Sequence, residues 1–329
     1  MVLHKHSLPA FARRFIKRVQ NTANKHTLWQ KGDAFIVGVS GGADSLCLLD
    51  VLYLLSKKYA FTISVAHVNY HLRKTASALD EALVRQIAAK YNLPCFVLSH
   101  RQTKNPSEER LRDIRYAFFE RLRQKTASQH IVVAHNQDDQ AETLLLRLLR
   151  GAGLSGLTSM RAKNGSLIRP LIETSRADIL SYLEARGIAY REDASNTDPS
   201  FFRNRIRHTL IPLLETSFQP QIRKLLAETA ELLADDYALL ERIPSDTLAK
   251  QNYSPDEYSR SLLTSLPEAL LRHELRTLIR PLLGGKNPDK HLINELIKVL
   301  KSAKSKTQTV TFKGLKFVRK GDRVRLFRI

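Results

Sequence analysis

Two short clusters of residues hold most of the chemistry this chain could perform. The first is Ser40, Gly41, Gly42, Ala43, Asp44 and Ser45. Glycines let a backbone approach an anion closely. If a helix begins inside this hexapeptide, its free N–H groups and the positive end of its dipole point the same way. A phosphate suits such a loop. The lysine of the Walker loop is absent and Asp44 repels a bare phosphate, so ATP chelated to Mg2+ through Asp44 answers both points. A plain glycine turn with a Ser or Asp cap is the competing reading. The second cluster is Asp138, Asp139 and Glu142. On a helix Asp139 and Glu142 share a face and could hold an ammonium group. Acids in a first helical turn are also explained by the macrodipole or by capping, Asp138 above all.

Cationic and titratable groups complete the candidate set. Arg112 and Arg115 fall three residues apart, where both could offset charge on an α-phosphate or a pyrophosphate leaving group, although solvated helix charges read equally well. His67 and His135 each lie at the end of an apolar run. His67 is expected to line a nucleotide pocket through its neighbouring backbone, with core packing the rival. No HxxxH or Cys/His cluster surrounds His135, which speaks against zinc. In REDASNTDPSFFRNRIRH, Arg203, Asn204 and Arg207 could bind phosphates or an extruded base, with Asp193, Ser195 and Asn196 setting the loop. The tail residues Lys313, Lys316, Arg319, Lys320, Arg323, Arg325 and Arg328 form a second nucleic-acid-facing set, whereas Phe312, Phe317 and Phe327 read as packing.

These residues need a scaffold. AFIVGV from Ala34 is short, apolar and β-branched, and the pattern after Ala43 is helical. The alternation recurs: strands at FTISVAHV, CFVLS and HIVVAH, helices over 76–91, 107–125 and 138–150. Such βαβ units require right-handed crossovers and a parallel sheet covered on both faces, with ligands at the carboxyl ends of the strands. The pattern then changes to the loop GAGLSGL, a short strand over Leu167–Leu171, a helix over 175–186 and the polar stretch. From Pro212 the chain is leucine-rich and helical, and QTVTFKGLKFVRKGDRVRLFRI at its end alternates apolar and basic residues around KG and KGD turns, a small antiparallel β element. Leu8, Phe11, Phe15 and Val19 predict an amphipathic helix in the acid-free first 32 residues, a better reading than a transit peptide.

Composition narrows the partners. The chain has 329 residues, with Lys+Arg 53 against Asp+Glu 32 and a net charge of +21. That surplus points to a polyanion, nucleic acid before membrane. With Cys47 and Cys95 alone there is no disulfide framework and no CxxC pair, so a reducing cytoplasm is expected. No apolar run is long enough to span a bilayer, so no membrane partner is expected. A homodimer is left open.

SGGxDS after a first strand resembles the PP-loop ATP pyrophosphatases, which cleave ATP to AMP and pyrophosphate. The further segments AHVNYHLR, RLRDIRYAFF, AHNQDDQAETLLLRLLRGAGLSGLTSM, IRPLI and DASNTDPSFFRNRIRHTLIPLL follow in the order seen in tRNA(Ile)-lysidine synthetases. Where many members read HVxHGLR this chain has HVNYHLR, and Leu111 stands where they often have Ala. The resemblance implies a Rossmann-like α/β PP-loop domain over 1–214 and a smaller tRNA-binding domain over 215–329, helical with a short antiparallel β element. It implies ligation of free lysine, through its ε-amine, to C2 of the wobble cytidine of tRNA(Ile) with a CAU anticodon, by way of an adenylated base. Asp139 and Glu142 would recognise lysine. A carboxylate raises the pKa of the amine it holds while attack needs a neutral amine, so a base is required; His135 is the best candidate, with water the alternative and a packed or hydrogen-bonded histidine the competing reading. Two rivals remain: a tRNA thiolase on the same ATP domain, disfavoured by the unpaired Cys47 and Cys95, and a nucleotide-sensing RNA-binding protein without chemistry.

Overall fold

The apolar runs expected as strands pair in parallel, and the amphipathic segments between them cover both faces. The computed structural model describes residues 8–72, 74–100, 107–191, 202–248, 257–285 and 288–329. The described chain divides into two compact units, Met1–Ala234 and Asp235–Ile329.

In the first unit, α1 (Ala10–Lys25) leads into β1 (Ala34–Gly38), α2 (Ala43–Tyr59), β2 (Thr62–Asn69), α3 (Lys74–Lys90), β3 (Cys95–Ser99), α4 (Glu108–Lys125), β4 (His130–Val132) and α5 (Gln137–Leu149). A short helix α6 (Leu154–Leu157), the hairpin β5 (Lys163–Asn164) and β6 (Leu167–Ile168), and α7 (Arg176–Arg186) follow. The sheet order is β3-β2-β1-β4-β6-β5, parallel except for the β5–β6 hairpin. The strand expected over Leu167–Leu171 stops at Ile168, because Pro170 has no N–H to give a ladder.

Alternation along β1 explains the layers. Phe35 and Val37 join α1, α2 and α7 in the larger core with Phe15, Leu48, Leu49, Ile179 and Tyr182. Ile36 faces the other way, into a core with Phe118, Phe119 and Leu122 of α4. The approach of α4 is close: a Cβ on Gly38 would lie 2.8 Å from the Phe119 ring. Buried Asp50 of α2 ties the first layer together, accepting from Tyr91 Oη at 2.6 Å, Tyr182 Oη at 2.5 Å and Arg186 Nε at 2.9 Å.

After α7 the described chain resumes at α8 (Phe202–Arg205), runs through a π-helical turn (Ile206–Leu210) into α9 (Ile211–Ser217), and then forms α10 (Ile222–Leu248). Ile206 and Ile211 pack on Ala141 and Leu145 of α5, with Ile222 and Leu226 of α10 beside them. Glu231 of α10 meets Lys25 at 2.5 Å. These contacts carry the first unit past the boundary expected at 214, to Ala234.

The second unit contains β7 (Glu257–Ser259), α11 (Arg260–Ser265), α12 (Glu268–Leu282), α13 (Lys290–Lys301), β8 (Gln308–Phe312), β9 (Leu315–Lys320) and β10 (Arg323–Arg328). The strands form an antiparallel sheet in the order β7-β10-β9-β8. At the Lys313–Gly314 turn both residues have positive φ, 41° and 76°, as a two-residue hairpin with right-handed strand twist demands. No described helix is long and apolar enough to cross a membrane.

Candidate active site

The strand order opens a crevice at the carboxyl ends of β1 and β4, from which the chain departs to opposite sides of the sheet. Both acidic and glycine motifs sit there. After β1 the loop reaches Gly42, which caps α2 without any side-chain bond, so the first N–H groups of the helix stay available. Gly41 has φ +94°, a conformation that favours glycine. Ser45 Oγ donates to the Gly42 carbonyl at 2.9 Å and accepts from the Ser40 N–H at 3.1 Å, with Ser40 Oγ also 3.1 Å away. The Arg191 N–H donates to the Gly41 carbonyl at 3.1 Å. Ala43 is buried beneath the loop. His67, also buried, donates from Nδ1 to the Val39 carbonyl at 2.8 Å and so braces the stem of the loop; burial lowers its pKa.

Asp44 stands in the first turn of α2. Its carboxylate accepts from Asn136 Nδ2 at 3.0 Å and pairs with the Arg176 guanidinium at 2.5 Å. Burial nevertheless pushes its pKa up, with Arg176 opposing. One carboxylate at the mouth of an anion loop is the protein donor that Mg2+ uses beside phosphate oxygens and water, so the residues fit that ion once Arg176 yields its oxygen.

Asn136 belongs equally to the second motif. It caps α5 through Oδ1, which accepts from the Asp139 N–H at 3.0 Å, while Asp139 Oδ2 accepts from the Asn136 N–H at 3.1 Å. This capping box fixes the first turn that carries the acids. Asp138 is a clamp: it accepts from the Arg176 N–H at 2.8 Å and from Arg223 at 3.0 Å, holding the starts of α7 and α10. Asp139 and Glu142 face α8. Arg203 reaches Asp139 at 2.9 Å and Glu142 at 2.8 Å; Arg207 reaches Glu142 at 2.5 Å and Asp139 at 3.4 Å. The pair expected to hold an ammonium group thus grips two guanidinium groups, which had been expected on RNA. Asn204 follows Arg203 on α8, and Arg207 lies in the π-helical turn beyond. Asp193, Ser195 and Asn196 lie outside the described residues.

Opposite the acids lies a region of one sign. Arg112 and Arg115 flank the Tyr116 ring, their guanidinium carbons 5.4 and 5.5 Å from its centroid. His135 Nδ1 accepts from Arg169 Nε at 3.2 Å. Burial and then the guanidinium groups of Arg169, Arg115, Arg203 and Arg112 hold the His135 pKa well below its ordinary value. A neutral ring whose Nδ1 is an acceptor carries its proton on Nε2. The one basic nitrogen of the neutral ring is thus engaged by Arg169, an arrangement that disfavours its protonation.

In the second unit the tail divides by strand parity. Leu315, Phe317 and Arg319 of β9 face the core, while Lys316 and Lys320 do not. Arg319, expected on RNA, is 2% exposed and donates to the carbonyls of Val299 at 2.9 Å, Ser302 at 2.7 Å and Lys304. That corrects its assignment: it closes the end of α13. Lys320, Arg323 and Arg325 are exposed.

Sequence reasoning missed Asn136, Arg169 and Arg176. For Asn136 a signal existed, since Asn-x-x-Asp before an apolar periodic run is a capping box. Arg169 and Arg176 have no local signature; their partners are distant in the chain.

A family model described as a PP-loop domain matches residues 11–214. The tRNA(Ile)-lysidine synthase of Geobacter sulfurreducens is 45% identical over 244 residues, 71% of this chain and 51% of that protein. That of Geobacillus kaustophilus is 31% identical over 323 residues, 94% of this chain and 69% of that protein. The chain spans about half the length of the curated relatives it matches first. Among solved structures, a U34-tRNA thiolase from Methanococcus maripaludis with its [4Fe-4S] cluster aligns at TM-score 0.56 and 18% identity, covering 68% of this chain and 79% of that one, a likeness of fold.

Proposed function

The chain belongs to the PP-loop family and, within it, to the tRNA(Ile)-lysidine synthases, and on that premise we propose that it joins free lysine to C2 of the wobble cytidine of tRNA(Ile) with a CAU anticodon. The cytidine O2 attacks the α-phosphorus of ATP, and the bond to pyrophosphate breaks. The ε-amine of lysine then attacks C2, the C–O bond breaks, and AMP leaves with the electron pair. One hard substitution becomes two easier ones.

The residues divide this work. The N–H groups at Gly42 to Ser45 receive a phosphate, and Asp44 would hold Mg2+, which supplies positive charge against the triphosphate. Arg112 and Arg115 offset charge on the α-phosphate and pyrophosphate. Asp139 and Glu142 hold lysine. Carboxylates favour the protonated form of whatever amine they bind, so the pair serves best for the amine that does not react, and the ε-amine loses its proton to water. Arg203, Asn204 and Arg207 give the RNA its cationic contacts when they leave the acids, and the exposed cations Lys320, Arg323 and Arg325 add a second RNA-facing set in the other unit.

The observation that supports this reading best is the Asn136 bridge, which sets a phosphate-ready loop beside an acidic pair already gripping cations. A thiolase needs reactive thiols, but burial pushes the pKa of both Cys47 and Cys95 up. Incubation with ATP, labelled lysine and CAU-anticodon tRNA tests the proposal. Label entering the RNA only when ATP is present supports it. Repeated turnover of pyrophosphate release that ignores lysine, or label that never enters the RNA, overturns it.

A further inference from the structure

Arg169 is 3% exposed, and among the described residues it forms no ion pair with a carboxylate. It lies in the segment between β6 and α7 and uses its guanidinium on neutral acceptors: Nε donates to His135 Nδ1 at 3.2 Å and one terminal nitrogen to the Arg161 carbonyl at 2.7 Å, with the Tyr116 hydroxyl as a further polar neighbour. Arg147 of α5 likewise donates to the carbonyls of Gly156 at 2.6 Å and Ser159 at 3.0 Å. Arg112 and Arg115 also lack a described carboxylate partner and are held instead against the Tyr116 ring. A buried guanidinium normally has an anion beside it, because its desolvation is otherwise uncompensated. Here cations from α4, α8 and the β6–α7 segment act on one imidazole, and among the described residues no carboxylate pairs with Arg169.

We propose that Arg169 is a positioning residue that locks His135 as a neutral hydrogen-bond donor, its Nε2–H presented to a phosphate oxyanion. The inference rests on the proposed function for the identity of that anion, which belongs either to the nucleotide or to the RNA backbone. The logic is local. A guanidinium is a permanent donor, so the nitrogen it faces must be the unprotonated one. With Nδ1 taken, the proton stays on Nε2. A second proton would place an imidazolium near the guanidinium groups of Arg169, Arg115, Arg203 and Arg112, and burial opposes the same charge. The ring is thereby held as a donor through Nε2, with its basic nitrogen turned to Arg169. Preorganised donors of this kind act where charge develops on oxygen. Arg169 itself touches no reacting atom; it sets which edge of His135 carries the hydrogen.

The experiment reads the ring directly. In 15N-labelled full-length protein, His135 is assigned by comparison with His135→Gln, and its two nitrogens are followed from pH 5.5 to 8.5. The expected result is a neutral ring protonated on Nε2 and no titration in that window. A ring protonated on Nδ1, or one titrating near 6.5, overturns the proposal without bearing on whether lysidine is made. In Arg169→Met, which removes the donor and keeps the length of the side chain, the single tautomer is expected to be lost, with the proton shared between Nδ1 and Nε2, while burial and the remaining guanidinium groups still disfavour the imidazolium; Arg169→Lys, which keeps a donor, is expected to restore the Nε2 tautomer in part. An unchanged tautomer in Arg169→Met overturns the lock. Addition of inorganic pyrophosphate, and separately of an anticodon stem-loop RNA, is expected to shift the Nε2–H resonance. A shift with pyrophosphate names the nucleotide as the source of the anion, a shift with RNA alone names the backbone, and no shift with either overturns the donor role. In lysine incorporation, Arg169→Met is expected to lose about tenfold to a hundredfold in kcat, with the KM for lysine unchanged; a rise confined to that KM overturns the assignment to phosphate chemistry.

Discussion

Asn136 donates its side-chain N–H to Asp44 at 3.0 Å although the two residues are 92 positions apart in the chain. The same side chain caps α5. One amide therefore sets both the carboxylate of the phosphate loop and the first turn that carries Asp139 and Glu142, and neither motif can drift without the other. Asn136→Ala removes the cap, for a loss of about 1–2 kcal/mol of stability, measurable by denaturant unfolding. Because the registration is lost as well, lysine incorporation should fall by more than stability explains. Asn136→Asp keeps the cap acceptor but faces Asp44 with a like charge, so it should unfold near the wild-type midpoint and still lose activity. Equal losses of stability in the two variants would remove the bridging role.

Glu142 is the more buried of the two acids, with its side chain 1% exposed and both Arg203 and Arg207 upon it. Glu142→Gln retains the shape and hydrogen bonds while removing the charge. Lysine-dependent pyrophosphate release should fall at least about a hundredfold, and tRNA affinity at fixed salt should change little. Arg207 competes with any cation for the same oxygens. In the absence of tRNA, Arg207→Gln should therefore bind lysine several-fold more tightly by calorimetry, whereas its tRNA affinity should weaken. Weaker lysine binding in that variant would mean that the guanidinium helps to hold lysine rather than stands in its place.

The strand and helix periods were legible because each buried face repeats along one segment: Phe35 and Val37 against Ile36 already announce a sheet covered on both sides. The loop at Ser40 to Ser45 was legible for the same reason, since strand, glycines and helix are contiguous. What escaped were relationships between distant segments. Arg203 and Arg207 read as RNA contacts because a lone sequence shows their charge but not the carboxylates that α8 packs against. His135 read as a base because its ordinary pKa is in range, and nothing near it in sequence reveals Arg169. Arg319 reads as a surface cation by its charge alone, whereas its place two residues after Phe317 puts it on the buried face of β9.

Glu274 gives the second unit a pH dependence of its own. It is 4% exposed on α12, and burial alone pushes its pKa from 4.5 to about 7. A carboxyl whose pKa is raised by folding favours the folded state fully below the unfolded value, and that contribution is lost as pH rises through the folded value. The unit should therefore lose stability between about pH 4.5 and 7 and remain penalised above. Glu274→Gln should be indistinguishable from wild type at pH 4 and more stable at pH 8.5, by on the order of 2 kcal/mol. Thermal unfolding of both proteins at the two pH values measures the difference; an equal gap at both would show that Glu274 is ionised throughout.

Arg319 and Lys320 are neighbours on β9 with opposite tasks, and paired substitutions separate them. Arg319 has its guanidinium on the carbonyls of Val299, Ser302 and Lys304, which no other described donor satisfies so closely. Arg319→Ala should lose about 2–4 kcal/mol by taking the guanidinium from the Lys304 carbonyl and leaving those of Val299 and Ser302 with only their longer bonds to the Ser302 N–H and Arg260, and it should leave the salt dependence of tRNA binding intact in whatever protein remains folded. Lys320 is exposed beside the Gly321 turn. Lys320→Ala should leave unfolding within about 0.5 kcal/mol of wild type and lower the slope of log affinity against log salt by about 1, because one fewer phosphate is neutralised. A slope unchanged by Lys320→Ala, and by Arg323→Ala beside it, would take this sheet out of the RNA contact and leave the cations of the first unit to account for the affinity.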